Sequence, residues 1–181
     1  MIYTSMTIKA MKLAYKAHEG QVDRSGVPYI FHPIHLAEQM DEEISCTVAL
    51  LHDVVEDTEV TLAELEQKFP PDVTEAVCLL THDKSVDYYD YVRNLKPNAI
   101  AKKVKLADLA HNSDEIRSKA AGCSEKQILH WREKYSRAKE ILLSEYNYQQ
   151  FSLTRAQDSR MTSGHGILAF KGVLMLKFDA T

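Results

Sequence analysis

A chain of 181 residues, 45% hydrophobic and 27% charged, has room for one domain with a real core but not for two enzymatic domains. Its 6 Gly and 5 Pro exclude a low-complexity or fibrous protein. A formal net charge of -4 gives no bulk attraction to nucleic acid or to an anionic membrane, so neither is an expected partner, and a phosphorylated ligand must be met by local charges. Cys46, Cys78 and Cys123 are odd in number and far apart and read as reduced core residues; with no export signal at the N-terminus, the expected compartment is the cytoplasm.

From Ser5 to His18 the apolar positions Ile8, Met11, Ala14 and Tyr15 recur at helical spacing and Gly20 supplies a stop, which predicts a first helix. Residues 21–29 carry Gly26 and Pro28 among polar side chains and read as a loop. His32-Pro33 then puts a proline where a second helix begins, so His32 sits at a loop-to-helix junction. Ser45 is the expected N-cap of a third helix whose body, Cys46-Thr47-Val48-Ala49-Leu50-Leu51, is apolar on nearly every side, as a buried central element should be. That helix would deliver His52 and Asp53 from the core.

Thr61 and Glu64 have the spacing of a capping box, and Leu62, Leu65 and Phe69 follow on one face before Pro70-Pro71 ends the segment. Val73, Ala76, Val77 and Leu80 mark a fifth helix, and Val86, Tyr89, Val92 and Leu95 a sixth that stops before Pro97. Ile100, Val104, Ala107 and Ala110 form the stripe of a seventh, with Asp108 beside it. Ser124 and Gln127 open an eighth, where Ile128, Trp131, Tyr135, Ala138 and Leu142 repeat; Trp131 reads as core packing.

No strand pattern competes up to about Tyr148, so the expected fold class is all-α: a compact bundle of about eight helices in a domain over residues 1–150. Residues 151–181 read as a C-terminal extension, polar to Gly166 and then apolar but broken by Lys171, Gly172 and Lys177. It is too short to span a membrane and ambiguous between strand and helix. Packing back on the bundle is the first expectation; pairing with a second subunit, or a role apart from the chemistry, are the others.

Chemistry concentrates where the third helix ends. His52, Asp53, Glu56 and Asp57 put four ionisable groups within six residues, and on a continuous helix Glu56 lies one turn from His52 and Asp57 one turn from Asp53. With His32 upstream and Asp108 downstream, two imidazoles and two carboxylates suit a first-row divalent ion such as Mn, Fe or Zn, since Mg or Ca prefers oxygen alone. Four such ligands leave coordination positions for water and a phosphate oxygen, which points to hydrolysis of a phosphoester or pyrophosphate. Glu56 and Asp57 exceed what one ion needs, and acids at a helix C-terminus oppose its dipole at about 0.3–1 kcal/mol each, so they are read as handling the attacking water.

The remaining histidines have ordinary readings. His82-Asp83 lies among Thr81, Lys84 and Ser85 without a following acid pair and reads as a surface decoy. His35 is a packed or hydrogen-bonded helix residue, His18 packs or caps the first helix, His111 neighbours Asp108 through sequence alone, and His130 and His165 have no motif around them.

The ordered pattern His32, His52-Asp53, Asp108 resembles the HD metal-dependent phosphohydrolase superfamily. The segments Ala17-His18-Glu19-Gly20-Gln21, Gly26-Val27-Pro28-Tyr29-Ile30-Phe31-His32-Pro33, Leu51 to Thr58, and Val104 to Asn112 resemble, in order, the hydrolase domain of RelA/SpoT enzymes and the stand-alone small alarmone hydrolases, from about residue 5 to residue 145. The resemblance implies a helical fold, a manganese ion, and removal of the 3′-pyrophosphate from guanosine tetra- or pentaphosphate. It makes His32, His52, Asp53 and Asp108 the metal ligands and Glu56 and Asp57 the residues that position and activate water. Arg24, Ser25 and Asn112 would line the nucleotide pocket. Asp23 stands where many members carry the first of two basic residues, which bears on base choice. The synthetase domain of the long RelA/SpoT proteins has no counterpart, so alarmone synthesis is not expected. Alternatives are hydrolysis of an adenosine 3′-pyrophosphate compound or of the NADPH 2′-phosphate, and a non-catalytic nucleotide sensor. A second copy of the chain is an allowed partner.

Overall fold

The apolar run ending at Leu51 forms the axis of the molecule. In a computed structural model describing residues 1–144, Glu43–Leu51 (α3) is buried from Ser45 onward and packs against four helices: Ser5–Ala17 (α1), Phe31–Glu38 (α2), Pro71–Leu80 (α6) and Ala99–Asn112 (α8). A helix apolar on all sides has no solvent face, so it is stable only when neighbours surround it. Short helices Val54–Asp57 (α4) and Leu62–Glu66 (α5) follow α3. Tyr88–Asn94 (α7), Glu115–Ala120 (α9) and Glu125–Leu143 (α10) complete ten helices among the described residues, where strands are absent.

The all-α expectation is met, with α4 and α9 beyond the eight helices read from periodicity. Both are too short to show a repeat of their own. The capping boxes at Thr61 and Ser124 are present with both reciprocal hydrogen bonds. Ser45 is not a cap: α3 starts two residues earlier behind Glu42, which is extended, and the Ser45 hydroxyl donates to the Glu42 carbonyl within the first turn. Likewise α2 begins at Phe31, and Pro33 falls in the first turn, where its missing N–H costs nothing.

Cys46 is buried, but Cys123 is only partly buried and Cys78 is exposed, so the core reading of the cysteines holds for one of three; all are free thiols. No helix among the described residues is long and apolar enough to cross a membrane. The expectations for residues 151–181 lie outside the described residues.

Leu50 is wholly buried at the heart of α3. Truncation to alanine there should cost about 2–5 kcal/mol in urea unfolding, whereas Leu129→Ala, on an exposed face of α10, should stay within about 0.5 kcal/mol.

Candidate metal centre and cleft

His52 closes α3, and Asp53, at φ -104 and ψ -2, turns the chain before α4 resumes. The helix expected to run unbroken through Asp57 is therefore bent at the His-Asp pair, although the Asp57 N–H still reaches the Asp53 carbonyl at 2.9 Å. The bend sets both side chains at the end of the buried axis. His32 comes from the first turn of α2 and Asp108 from the buried face of α8, and all three helices meet because each packs on its neighbours there.

The ligand atoms of His32, His52 and Asp53 lie within 4.8 Å of one another. Asp108 Oδ1 is 3.4 Å from His32 Nε2, and Asp53 Oδ2 is 2.9 Å from His52 Nε2 and 3.8 Å from His32 Nε2. The His52 Nδ1–H donates to the Ala49 carbonyl at 2.8 Å, which fixes the tautomer and leaves Nε2 for a ligand. That buried Nε2 has no hydrogen-bond partner despite its closeness to Asp53, because proximity without alignment is not a hydrogen bond. An orphaned imidazole nitrogen beside two carboxylates and a second imidazole fits a first-row divalent metal, the donor set expected from the sequence.

Electrostatics support the same centre. Burial alone would lower the His52 pKa, but the Asp53 carboxylate, then Asp108 and the Ala49 carbonyl, overcome it and push it up to about 9. Burial would raise Asp53; His52 and the Tyr29 hydroxyl, which donates to Oδ2, hold it down at about 2. For Asp108 the opposing burial penalty is outweighed by the Lys105 ammonium, 2.8 Å from Oδ2, and by His32 and His52, so it stays ionised. The Asn112 amide also donates to Asp108 Oδ1.

Two adjoining clefts of about 310 Å³ each open over this centre and share Arg24, Asp57 and Asn112. Ser25 and His32 line the first; Asp53, Glu56 and Asp108 line the second. All nine residues singled out from the sequence thus converge, but not equivalently. The Glu56 carboxylate is held by the His82 backbone N–H at 2.9 Å, whereas the Asp57 carboxylate has no hydrogen bond among the described residues and is raised by burial and by Asp53 and Glu56. Arg24 lies 4.1 Å over the Trp131 ring and donates to the Tyr135 hydroxyl, so Trp131 seats the guanidinium as well as packing on the core.

Two readings are corrected by this geometry. His82 is half-buried, stacks on Tyr91 and lines the second cleft; only Asp83 is a surface residue. His111 is no mere sequence neighbour, since its Nδ1 sits 2.6 Å from His32 Nδ1 while Arg117 donates to its Nε2 at 2.6 Å. Burial, then His32 and Arg117, push its pKa down to about 4. Arg117 in turn pairs with Asp23 at 2.6 Å, a contact that braces the loop at the first cleft. Tyr29, Lys105 and Arg117 also went unread. Lys105 alone left a signal, standing three residues before Asp108 on one helix face.

Because a proton on His52 competes with a metal for Nε2, divalent-ion affinity should climb with pH until about 9 rather than level off near the ordinary histidine value of about 6.5. Titration of Mn2+ by electron paramagnetic resonance from pH 6 to 9 checks this; a plateau reached by pH 7 would count against it.

Comparison with known proteins agrees with the geometry. The profile of the HD domain family matches residues 10–121. Over 126 residues the chain is 36% identical to guanosine-3′,5′-bis(diphosphate) 3′-pyrophosphohydrolase MESH1 of Danio rerio, covering 62% of this chain and 70% of that protein. It is 45% identical over 78 residues to the bifunctional (p)ppGpp synthase/hydrolase SpoT of Escherichia coli, covering 39% of this chain but 11% of that much longer protein. A solved chain described as a metazoan ortholog of SpoT that hydrolyzes ppGpp shares the fold, with a TM-score of 0.63 at 24% identity over 89% of this chain and 98% of the other. With the family profile spanning both the His32 junction and the Asp108 helix, the chain belongs to the HD domain family.

Proposed function

We propose that this chain is a manganese-dependent hydrolase that removes the 3′-pyrophosphate from guanosine tetra- or pentaphosphate, with residues 1–150 as its catalytic domain. The observation that carries the reading is the meeting of His32, His52, Asp53 and Asp108 at the floor of a cleft edged by two further acids. Relatives at 36% and 45% identity that carry hydrolase names support the choice of substrate.

His32, His52, Asp53 and Asp108 would hold the ion, which when bound supplies a Lewis acid that acidifies water and shares phosphate charge. Asp57, unpaired and with a raised pKa, is suited to take the proton of the attacking water; Glu56, anchored on the His82 N–H, is suited to orient it. Water oxygen bonds to the phosphorus attached to the 3′ oxygen and that ester bond breaks. One water proton ends on the 3′ oxygen, giving GDP or GTP and pyrophosphate. Arg24, stiffened by Trp131 and Tyr135, with Ser25 and Asn112 would line the nucleotide pocket.

The pairing of Asp23 with Arg117 favours keeping a second reading, hydrolysis of an adenosine 3′-pyrophosphate compound or of the NADPH 2′-phosphate, because it leaves base choice to Arg24 and its neighbours. A non-catalytic sensor is disfavoured by an acid such as Asp57 left unpaired at the ligand set.

Mn2+-loaded protein should release pyrophosphate from guanosine tetraphosphate faster than it releases phosphate or pyrophosphate from the adenosine compound or NADPH in parallel assays. Asp57→Asn and Glu56→Gln should each lose about 10²–10⁴ in kcat with Mn2+ binding retained. Tight nucleotide binding without turnover by the wild type would favour the sensor.

A further inference from the structure

Neither the ligand set nor the acid pair uses the cation nearest to them. Lys105 is largely buried, with 15% of its side chain exposed, and its ammonium sits 2.8 Å from Asp108 Oδ2 and 5.5 Å over the Tyr91 ring. It lines the same cleft as Asp53, Glu56 and Asp108. An ammonium carries three donors, and Asp108 takes one of them. The aromatic face and the carboxylate offset its loss of hydration without spending the other two.

This arrangement also divides the two oxygens of Asp108. Oδ2 is capped by Lys105, while Oδ1 receives the Asn112 amide and lies toward His32 Nε2. We propose that Lys105, whose cap on Oδ2 leaves Oδ1 toward the ligand set, donates to a phosphate oxygen of the group being cleaved, a role that rests on the phosphohydrolase reading.

A phosphate contact makes a prediction that a purely structural clamp would not. Asp53 and Asp108 attract a dication and Lys105 repels it, so removing the lysine charge should not weaken metal binding, whereas loss of a preorganised cation should weaken anion binding and turnover. The sign of the metal effect therefore separates a phosphate contact from simple support.

The test compares wild type with Lys105→Met and Lys105→Arg, titrating Mn2+ by electron paramagnetic resonance and inorganic pyrophosphate onto the Mn2+-loaded proteins by calorimetry. Lys105→Met should bind Mn2+ as tightly as wild type or tighter, lose at least about tenfold in pyrophosphate affinity, and lose about 10²–10³ in kcat on guanosine tetraphosphate. Lys105→Arg, which keeps the charge, should hold pyrophosphate to within about threefold of wild type. Loss of Mn2+ in step with activity in the methionine variant would overturn the proposal, as would unchanged pyrophosphate affinity. If that variant does not fold, the arginine variant decides, and a tenfold weaker pyrophosphate affinity overturns it. Neither titration contains the alarmone, so a wild type that leaves guanosine tetraphosphate intact refutes the substrate and not the role of Lys105.

Discussion

Two carboxylates at the end of a buried helix are the constraint around which this molecule is arranged. Taking an ionised carboxyl out of water costs several kcal/mol unless it is paired and hydrogen-bonded. Asp53 and Asp108 therefore draw in every polar group within reach: the Tyr29 hydroxyl, His32, His52, Lys105 and the Asn112 amide. The compensation stops short at the buried Nε2 of His52, and an imidazole nitrogen left without a partner beside two carboxylates is shaped for a cation.

The surrounding fold serves that requirement. Packing α3 between α1, α2, α6 and α8 removes water from Ser45 onward, and the bend at Asp53 then exposes the chain to the cleft just past His52. The apolar run and the reactive pair are thus one device: the first fixes position, the second uses it. Behind the ligands, His111, Arg117 and Asp23 form a line of contacts from α2 to the loop that carries Arg24 and Ser25. That line ties the orientation of His32 to the conformation of the loop that carries Arg24 and Ser25.

The division between the two acids of α4 follows from their different neighbours. Glu56 is committed to the loop after α6, and Asp57 is left facing both clefts without a donor. Adjacent acids thus meet different surroundings: Glu56 accepts from a backbone N–H, whereas burial and then the Asp53 and Glu56 charges raise the Asp57 carboxyl. The cations Arg24 and Lys105 flank them, the first on Trp131 and the second near Tyr91, so positive charge reaches the cleft on side chains stiffened by aromatic faces.

By itself the amino-acid order determined what is local or periodic. Helical spacing with capping signals at Thr61 and Ser124 determined the all-α class, and the ordered His32, His52-Asp53, Asp108 pattern determined the metal ligands to look for, because residue type limits which chemistry a group can perform. Short α4 and α9 and the start of α3 escaped, since a single turn has no period to read and Ser45 could satisfy its hydroxyl inside a helix as well as at its end. Tertiary structure alone decided the pairings across long stretches of chain: His111 with His32, Arg117 with Asp23, Arg24 with Trp131, and His82 with Glu56. None of these pairings leaves a signal in one dimension, and only the packing of distant helices sets the distance at which each charge or hydrogen bond acts.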